Sequence, residues 1–467
     1  MDHAQPSSRR QFLRLSGLAG AASILPGCST VANTQAKPVG QAKNVIYLMV
    51  DGLCNGTVGL AHHWQLRHKA TPLNWMQLFE HEGLHRAYQD TASANSPVTD
   101  SAAAASAWGS GQRVNNGSIN VDPSGKSLKP ILSYAKEAGK ATGLVTSCRI
   151  THATPAGFST SVPKRGMEDA IAQQYLEREI DVLLGGGARH FLQTQDDGSV
   201  IDYIPQFEAK GYQIVKTATE LSAVRRGGSL LGLFSQSHIP YAIDRQNDRA
   251  YKDVPNLVDM FSAALNQLNG MKEGFVLQVE GGRVDHAGHG NDAGGILHEF
   301  LEFDACIPIA LEFIESHPDT MLVVTTDHGT GGCQLDGAGS AYLDSGPALD
   351  RINQLRHSFE WLQQGFEATG KFDPVLLKTA LGIDPTDTQA AIVQAALDAE
   401  VVYLSGALNQ AFGKQLNELT AVGWTSDKHT SECVELFAFG PGSEAIPPLI
   451  KNYEIFGILT KALGIKV

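Results

Sequence analysis

Long apolar runs, a basic surplus and an organised set of cysteines are what this chain lacks. No stretch beyond the first thirty residues reaches the ~18 apolar residues that a membrane-spanning helix needs. Lys and Arg number 36 against 49 Asp and Glu, a formal net charge of −13. The basic face with which proteins neutralise nucleic-acid phosphates is therefore missing. Only 6 of 467 residues are Cys, which excludes a small disulfide-stapled scaffold. With 42% apolar and 18% charged residues, the chain is neither collagen-like nor a disordered tail. No complete GxSxG, GxGxxG or GxxxxGK[ST] occurs, so a hydrolase elbow, a dinucleotide fold and a P-loop lose support. What remains is an acidic enzyme or binding protein with ample core.

The N-terminus reads as an address. Ser8-Arg9-Arg10-Gln11-Phe12-Leu13 precedes a short Gly/Ala-rich apolar stretch ending at Leu25, which resembles a twin-arginine export signal. Leu25-Pro26-Gly27-Cys28 resembles a lipobox, in which Cys28 is acylated and becomes the new N-terminus. Residues 1–28 are thus expected to form the export signal, with cleavage before Cys28, 29–42 a flexible tether, and 43–467 the folded part. Loss of Asp2, Arg9, Arg10 and Arg14 leaves a charge of about −15 and an odd number of cysteines besides Cys28, so disulfides do not organise the fold. The expected location is periplasmic, or anchored to the outer membrane through Cys28.

Several short apolar runs end in acid-plus-glycine. Val45–Val50 ends in Asp51-Gly52, Phe275–Val279 in Glu280-Gly281, and Met321–Thr326 in Asp327-His328-Gly329. Runs at 143–146, 182–184 and 436–439 share the apolar part. Continuous apolar runs suit strands buried on both faces. Amphipathic stretches such as 167–178 and 258–268 alternate with them, which predicts an α/β sandwich. In such sheets ligands sit beyond the carboxyl ends of the strands, so Asp51, Glu280 and Asp327 should meet at one rim. Unpaired acids there would repel one another, and a cation site follows.

The densest cluster is Glu280-Gly-Gly-Arg-Val-Asp285-His286-Ala-Gly-His289, followed by Asp327-His328 and, late in the chain, His429. Mixed carboxylate and imidazole donors suit zinc, and an all-oxygen corner suits magnesium. His81-Glu82-Gly83-Leu84-His85 matches the HExxH metalloprotease pattern. That motif needs both His on one helix face, and Gly83 reads instead as a helix stop. A nucleophile candidate stands in Thr99-Asp100-Ser101 before four alanines and Trp108. This pattern starts a helix whose amides and positive dipole end surround Ser101.

Six pieces in order resemble the alkaline phosphatase family from about residue 43 to the end. They are Asp51-Gly52; Thr99-Asp100-Ser101 with Trp108; His152-Ala153-Thr154-Pro155-Ala156; Glu280 to His289; Thr326-Asp327-His328; and Gly423-Trp424 to His429-Thr430 with Phe439-Gly440-Pro441-Gly442. The resemblance implies a three-layer α/β/α sandwich around a large, mostly parallel sheet, with an insertion at about 333–423. It also implies two zinc ions, one on Asp285, His289 and His429, the other on Asp51, Asp327, His328 and, in catalysis, Ser101. A magnesium would take Asp51, Thr154 and Glu280. Arg165 would grip two phosphate oxygens and Asp100 would orient it. His152 and His286 match a variant of the family that places imidazoles beside the third corner, where zinc could replace magnesium.

The implied activity is hydrolysis of phosphate monoesters through a phosphoserine on Ser101, in a homodimer without nucleic-acid binding. Two rivals stand beside it. A phosphodiesterase would lack a guanidinium for the further free oxygens, so Arg165 argues against it. A metal- or phosphate-binding lipoprotein would have no use for an activated Ser101. A sulfatase needs Cys-x-Pro-x-Arg, which is absent.

Overall fold

The computed structural model describes residues 41–194 and 198–467. The leader, the lipobox and most of the tether lie outside the described residues. Ten strands form the main sheet in the order Leu449–Lys451, His85–Asp90, Val434–Phe439, Thr320–Thr326, Asn44–Val50, Phe275–Gly281, Ala141–Arg149, Val182–Gly186, Leu230–Leu233 and Gln213–Val215. All pairings are parallel except the two made by Val434–Phe439, which runs against both neighbours. The chain is thus an α/β protein with helices on both sides of a mostly parallel sheet, as the alternation of runs predicts.

The strand Asn44–Val50 shows why the sheet is central. All seven residues are buried, and they alternate between two cores. Ile46, Leu48 and Val50 pack on one face, whereas Val45, Tyr47 and Met49 pack on the other. Only a strand covered by helices on both faces needs such an uninterrupted apolar run. Its neighbours hold it in register, with Val50 beside Thr326 on one side and Gly281 on the other. Three adjacent parallel strands therefore deliver Asp51, Glu280 and Asp327 to the same rim.

Between Thr326 and Val434 the chain leaves the sheet for five α-helices, from Ser345–Arg351 to Ser405–Thr420. The ends of this excursion meet in a short antiparallel pair, Gln334–Leu335 with Val422–Gly423. The run around Gly83 is as the HExxH analysis expects: Gly83 has φ +79° and His85 opens a strand, so the two His do not share a helix.

The helix Ser101–Ser110 lies unusually close to the helix Ala153–Ser159. A Cβ on Gly109 would fall 1.9 Å from the Gly157 carbonyl oxygen, and one on Gly157 would fall 2.5 Å from Ala105 Cβ. Alanine and glycine at these positions serve that approach, which sets Ser101 and Thr154 at the same rim. Overpacking of this kind costs about 1–3 kcal/mol where the backbone can shift. Gly109→Val should therefore lower stability by about 3 kcal/mol, read as a reduced denaturation midpoint in urea. A midpoint equal to the wild type would show that the two helices separate freely.

Candidate active site

Asp100 caps the helix Ser101–Ser110, its Oδ1 accepting from Ala103 N at 2.9 Å. Ser101, the first helical residue, therefore projects among free amides at the positive end of the helix. Its Oγ lies 3.4 Å from both Asp51 Oδ1 and His328 Nε2. His328 Nε2 is also 3.0 Å from Asp327 Oδ2 and 3.6 Å from Asp51 Oδ1. Asp327 is steadied by Gly52 N and His328 N, which both donate to its Oδ1. Asp51, Asp327 and His328 thus offer three buried donors within 4.8 Å of one another.

A second group lies against the first, the rings of His328 and His429 stacking at 3.7 Å. It comprises Asp285, His289 and His429. His289 Nδ1 donates to the Asp427 carbonyl at 2.7 Å, and His429 Nδ1 to the Thr99 carbonyl at 2.8 Å. A carbonyl only accepts, so in the neutral rings both Nε2 atoms carry lone pairs. These face each other at 3.0 Å, and Asp285 Oδ1 lies 3.5 and 3.4 Å away. Two lone pairs and a carboxylate converging on one point require a cation between them. Without a metal a proton takes that place: although burial works against it, Asp285 holds His429 up to about 9.

The third corner is formed by Asp51, Glu280 and His152. Burial, then repulsion by Asp327, Asp285 and Glu280, pushes the Asp51 carboxyl well up, and burial pushes Glu280 up to about 7. Asp285 is the exception: burial opposes its ionisation, yet His289 and His429 hold it well below the carboxylate range. Asp51 Oδ2, Glu280 Oε1, Asp327 Oδ2 and Thr154 Oγ1 are buried with no hydrogen-bond partner. Orphaned buried oxygens cost about 1–3 kcal/mol each. Their concentration at one rim, beside facing imidazole lone pairs, fits a set of divalent cations.

Arg165 stands across from Ser101. Its Nη1 donates to Asp100 Oδ2 at 3.1 Å and its Nη2 to His152 Nε2 at 3.1 Å. Asp100 Oδ2 also accepts from Gly117 N, so the carboxylate that caps the nucleophile helix also orients the guanidinium. Ser101, Arg165, His286, His289 and His429 line one cavity of about 590 Å³. Its outer wall comes from the helical excursion, including Phe359, Glu360 and Tyr403.

The structure brings every predicted site residue to this rim, with one difference of neighbourhood. His286 packs against His238 at 4.4 Å between ring centroids, and with Cys148 these two form a separate cluster. Sequence reasoning missed His238 and Tyr241, which come from a loop without an acid cluster, and gave no role to Arg283, which stands between Glu280 and Asp285 at the start of a helix. It also missed Thr146, which donates to Glu280, and Thr330, which donates to Asp285 Oδ1 at 2.6 Å. Position offered a signal for both: Thr146 lies near a strand end and Thr330 within the Asp327-His328-Gly-Thr run. The five described cysteines are free, four buried and Cys433 exposed.

Comparison with known proteins places this geometry. The family model described as alkaline phosphatase matches residues 42–465. Alkaline phosphatase 3 of Bacillus subtilis is 33% identical over 94% of each chain. The repressible alkaline phosphatase of Saccharomyces cerevisiae is 32% identical, covering 85% of this chain and 76% of its own. Among solved structures, the alkaline phosphatase of Thermus thermophilus superposes with a TM-score of 0.82 at 34% identity, covering 95% of this chain and 96% of its own. A cold-active enzyme of Shewanella gives 0.74 at 29%, covering 90% and 99%. With the family model matched over residues 42–465 and relatives about one-third identical along nearly the whole length, the chain belongs to the alkaline phosphatase family.

Proposed function

We propose that the chain hydrolyses phosphate monoesters through a phosphoserine on Ser101. Two zinc ions would be held by Asp285, His289 and His429 and by Asp51, Asp327 and His328. A magnesium, or a third zinc because of His152, would sit on Asp51, Thr154 and Glu280. The observation that carries this reading is the place of Ser101 Oγ, at a helix N-terminus and 3.4 Å from both Asp51 Oδ1 and His328 Nε2. A binding protein gains nothing from a hydroxyl held there. Four carboxylates against three divalent ions leave two positive charges, the complement of a monoester dianion.

When bound, such ions supply charge neutralisation at the attacking and departing oxygens and ease the ionisation of water. The chain's own residues do the rest. Ser101 Oγ loses its proton and attacks phosphorus in line; the ester P–O bond breaks and the alcohol leaves, protonated from water. The helix amides and the Arg165 fork hold the non-bridging oxygens, where charge is spread in the transition state. In the second half a water oxygen attacks the phosphoserine, the P–Oγ bond breaks, and a proton returns to Ser101. Arg165, held by Asp100 on the cavity wall that also carries Ser101, favours monoesters, since a diester has fewer free oxygens to grip.

We further propose that residues 1–28 direct export, with Cys28 as lipid anchor, and that the excursion between about 333 and 423 shapes the leaving-group side of the cavity. Homodimerisation is part of the same proposal.

Three outcomes are expected. Ser101→Ala should lose at least about 10³-fold in kcat/KM for p-nitrophenyl phosphate while keeping its metal content by elemental analysis; a variant with most of its activity would exclude the phosphoserine. Arg165→Ala removes two charge-assisted hydrogen bonds, each of about 1.5–3 kcal/mol. It should lose about 10²-fold on the monoester but little on bis(p-nitrophenyl) phosphate, so the ratio of the two rates should collapse. Chelation should abolish turnover, and zinc with magnesium should restore it. Activity surviving complete metal removal would contradict the reading of the orphaned carboxylates.

A further inference from the structure

Three imidazoles line one side of the rim, and each faces a guanidinium. Arg165 Nη2 donates to His152 Nε2, Arg149 Nη1 contacts His238 Nε2, and Arg283 Nη1 lies 3.2 Å from His286 Nδ1. Each arginine is in turn paired with an acid farther out: Asp100, Glu168 and Glu360. Arg165 has its role in phosphate binding, and Arg149 is forked onto the carboxylate of Glu168. Arg283 is different: its side chain is 1% exposed, it touches no carboxylate of the rim, and the reaction as derived makes no use of it.

Its surroundings fix it closely. Ser147 Oγ accepts from Gly282 N and Arg283 N at 2.9 and 3.2 Å, which seats the start of the helix Arg283–Gly290. The guanidinium carbon lies 3.8 Å over the Tyr241 ring, and Nη2 donates to Glu360 Oε2 at 2.7 Å. Only Nη1 reaches the site, and it reaches His286 Nδ1. An arginine donates and never accepts, because it does not deprotonate in proteins. Nδ1 must therefore carry the lone pair, and the neutral ring has its one proton on Nε2.

We infer that Arg283 is a positioning residue, which holds His286 in the Nε2–H tautomer and in one orientation on the wall that it shares with Ser101 and Arg165. The ring then presents a hydrogen-bond donor to the cavity without adding a positive charge that would compete for the carboxylates of the rim. Glu360 holds the far end of the guanidinium, so the first turn of the helix Phe359–Thr369 steadies the same contact.

The cluster of Cys148, His238 and His286 also has the donor types of a soft metal site. Cys148 Sγ lies 3.9 Å from His286 Nδ1. Yet His238 Nε2 and His286 Nδ1 both face guanidinium groups, and two fixed positive charges disfavour a cation between them. The arrangement is one of donors to imidazole rather than of ligands to an ion.

The inference rests on the phosphomonoesterase reading, and a double-mutant cycle on the metal-loaded enzyme tests it. Arg283→Met keeps the stem over Tyr241 and removes the donors. It should lower kcat on p-nitrophenyl phosphate about tenfold, in the range typical of residues that orient a site group, with KM and metal content little changed. In a His286→Gln background the same substitution should cost less than about twofold, because no ring remains to be held. Arg283→Lys, with one donor, should fall between Arg283→Met and the wild type. An equal loss in both backgrounds, or no loss in the wild type, would overturn the proposal.

A second readout is independent of turnover. In metal-free protein labelled with ¹⁵N-histidine, long-range ¹⁵N–¹H spectra should show His286 as the Nε2–H tautomer, and Arg283→Met should remove that pattern. A pattern unchanged by the substitution would overturn the proposal even if activity fell. A thiolate-to-cobalt charge-transfer band that disappears in Cys148→Ser would likewise overturn it in favour of a metal. An inactive wild type would instead strike at the phosphatase reading, leaving the spectra to judge Arg283.

Discussion

Asp51, Glu280, Asp285 and Asp327 repel one another in a region closed to water, and most of the site follows from how that repulsion is met. Each carboxylate is at most 4% exposed. Two unit charges about 4 Å apart at an effective dielectric of about 20 interact by about 4 kcal/mol, which is a large share of the stability of an ordinary domain. Among its described residues the chain pairs no lysine with them. It supplies imidazoles whose outer nitrogens are tied to carbonyls, so that the inner lone pairs add to the excess of negative charge. Such a site is unfavourable empty and well suited to several divalent ions. The parallel sheet makes it possible: three neighbouring strands end together and set Asp51, Glu280 and Asp327 side by side, and the helix that follows Glu280 adds Asp285.

Around this negative rim the positive groups are set at graded distances. Arg165 is nearest the nucleophile and shares Asp100 with the helix cap, so one carboxylate positions both the serine and the guanidinium. The helix amides behind Ser101 add partial positive charge without a side chain. The other two guanidiniums touch His238 and His286, and Glu168 and Glu360 compensate them. The site thus separates two tasks. The negative charge lies on the strand ends and on the first turn of the helix after Glu280, and donors that must stay fixed lie on the His–Arg wall.

What could be read from the sequence was what local chemistry repeats. Apolar runs ended by Asp-Gly or Glu-Gly mark strands and their rim because burial on both faces leaves no alternation of polarity. The alanines after Asp100-Ser101 mark a tightly packed helix, and Gly83 breaks the HExxH pattern. The residues that escaped notice act through geometry that no short segment carries. His238 follows a strand near the far edge of the sheet and reaches His286 only because that strand's loop folds over the rim. Thr146 acts because its strand lies beside Glu280 in the register. The antiparallel run of Val434–Phe439 was also hidden, since a strand buried on both faces looks alike in either direction.

The helical excursion shows how a segment outside the sheet becomes part of the site. Its segment from His357 to Glu360 is held by three charged side chains of the sheet domain. Asp244 accepts from Ser358 N and Oγ, Asp292 accepts from Phe359 N, and Arg283 pairs with Glu360. Asp244 and Asp292 are buried, so each would carry an unsatisfied charge if the segment moved away. That cost fixes the wall in place more firmly than apolar packing alone, which tolerates small shifts. Asp292 stands three residues beyond His289, and Arg283 two before Asp285. The segment 283–292 that carries Asp285 and His289 therefore also holds the wall, and the shape of the cavity is tied to the same few residues as its charge.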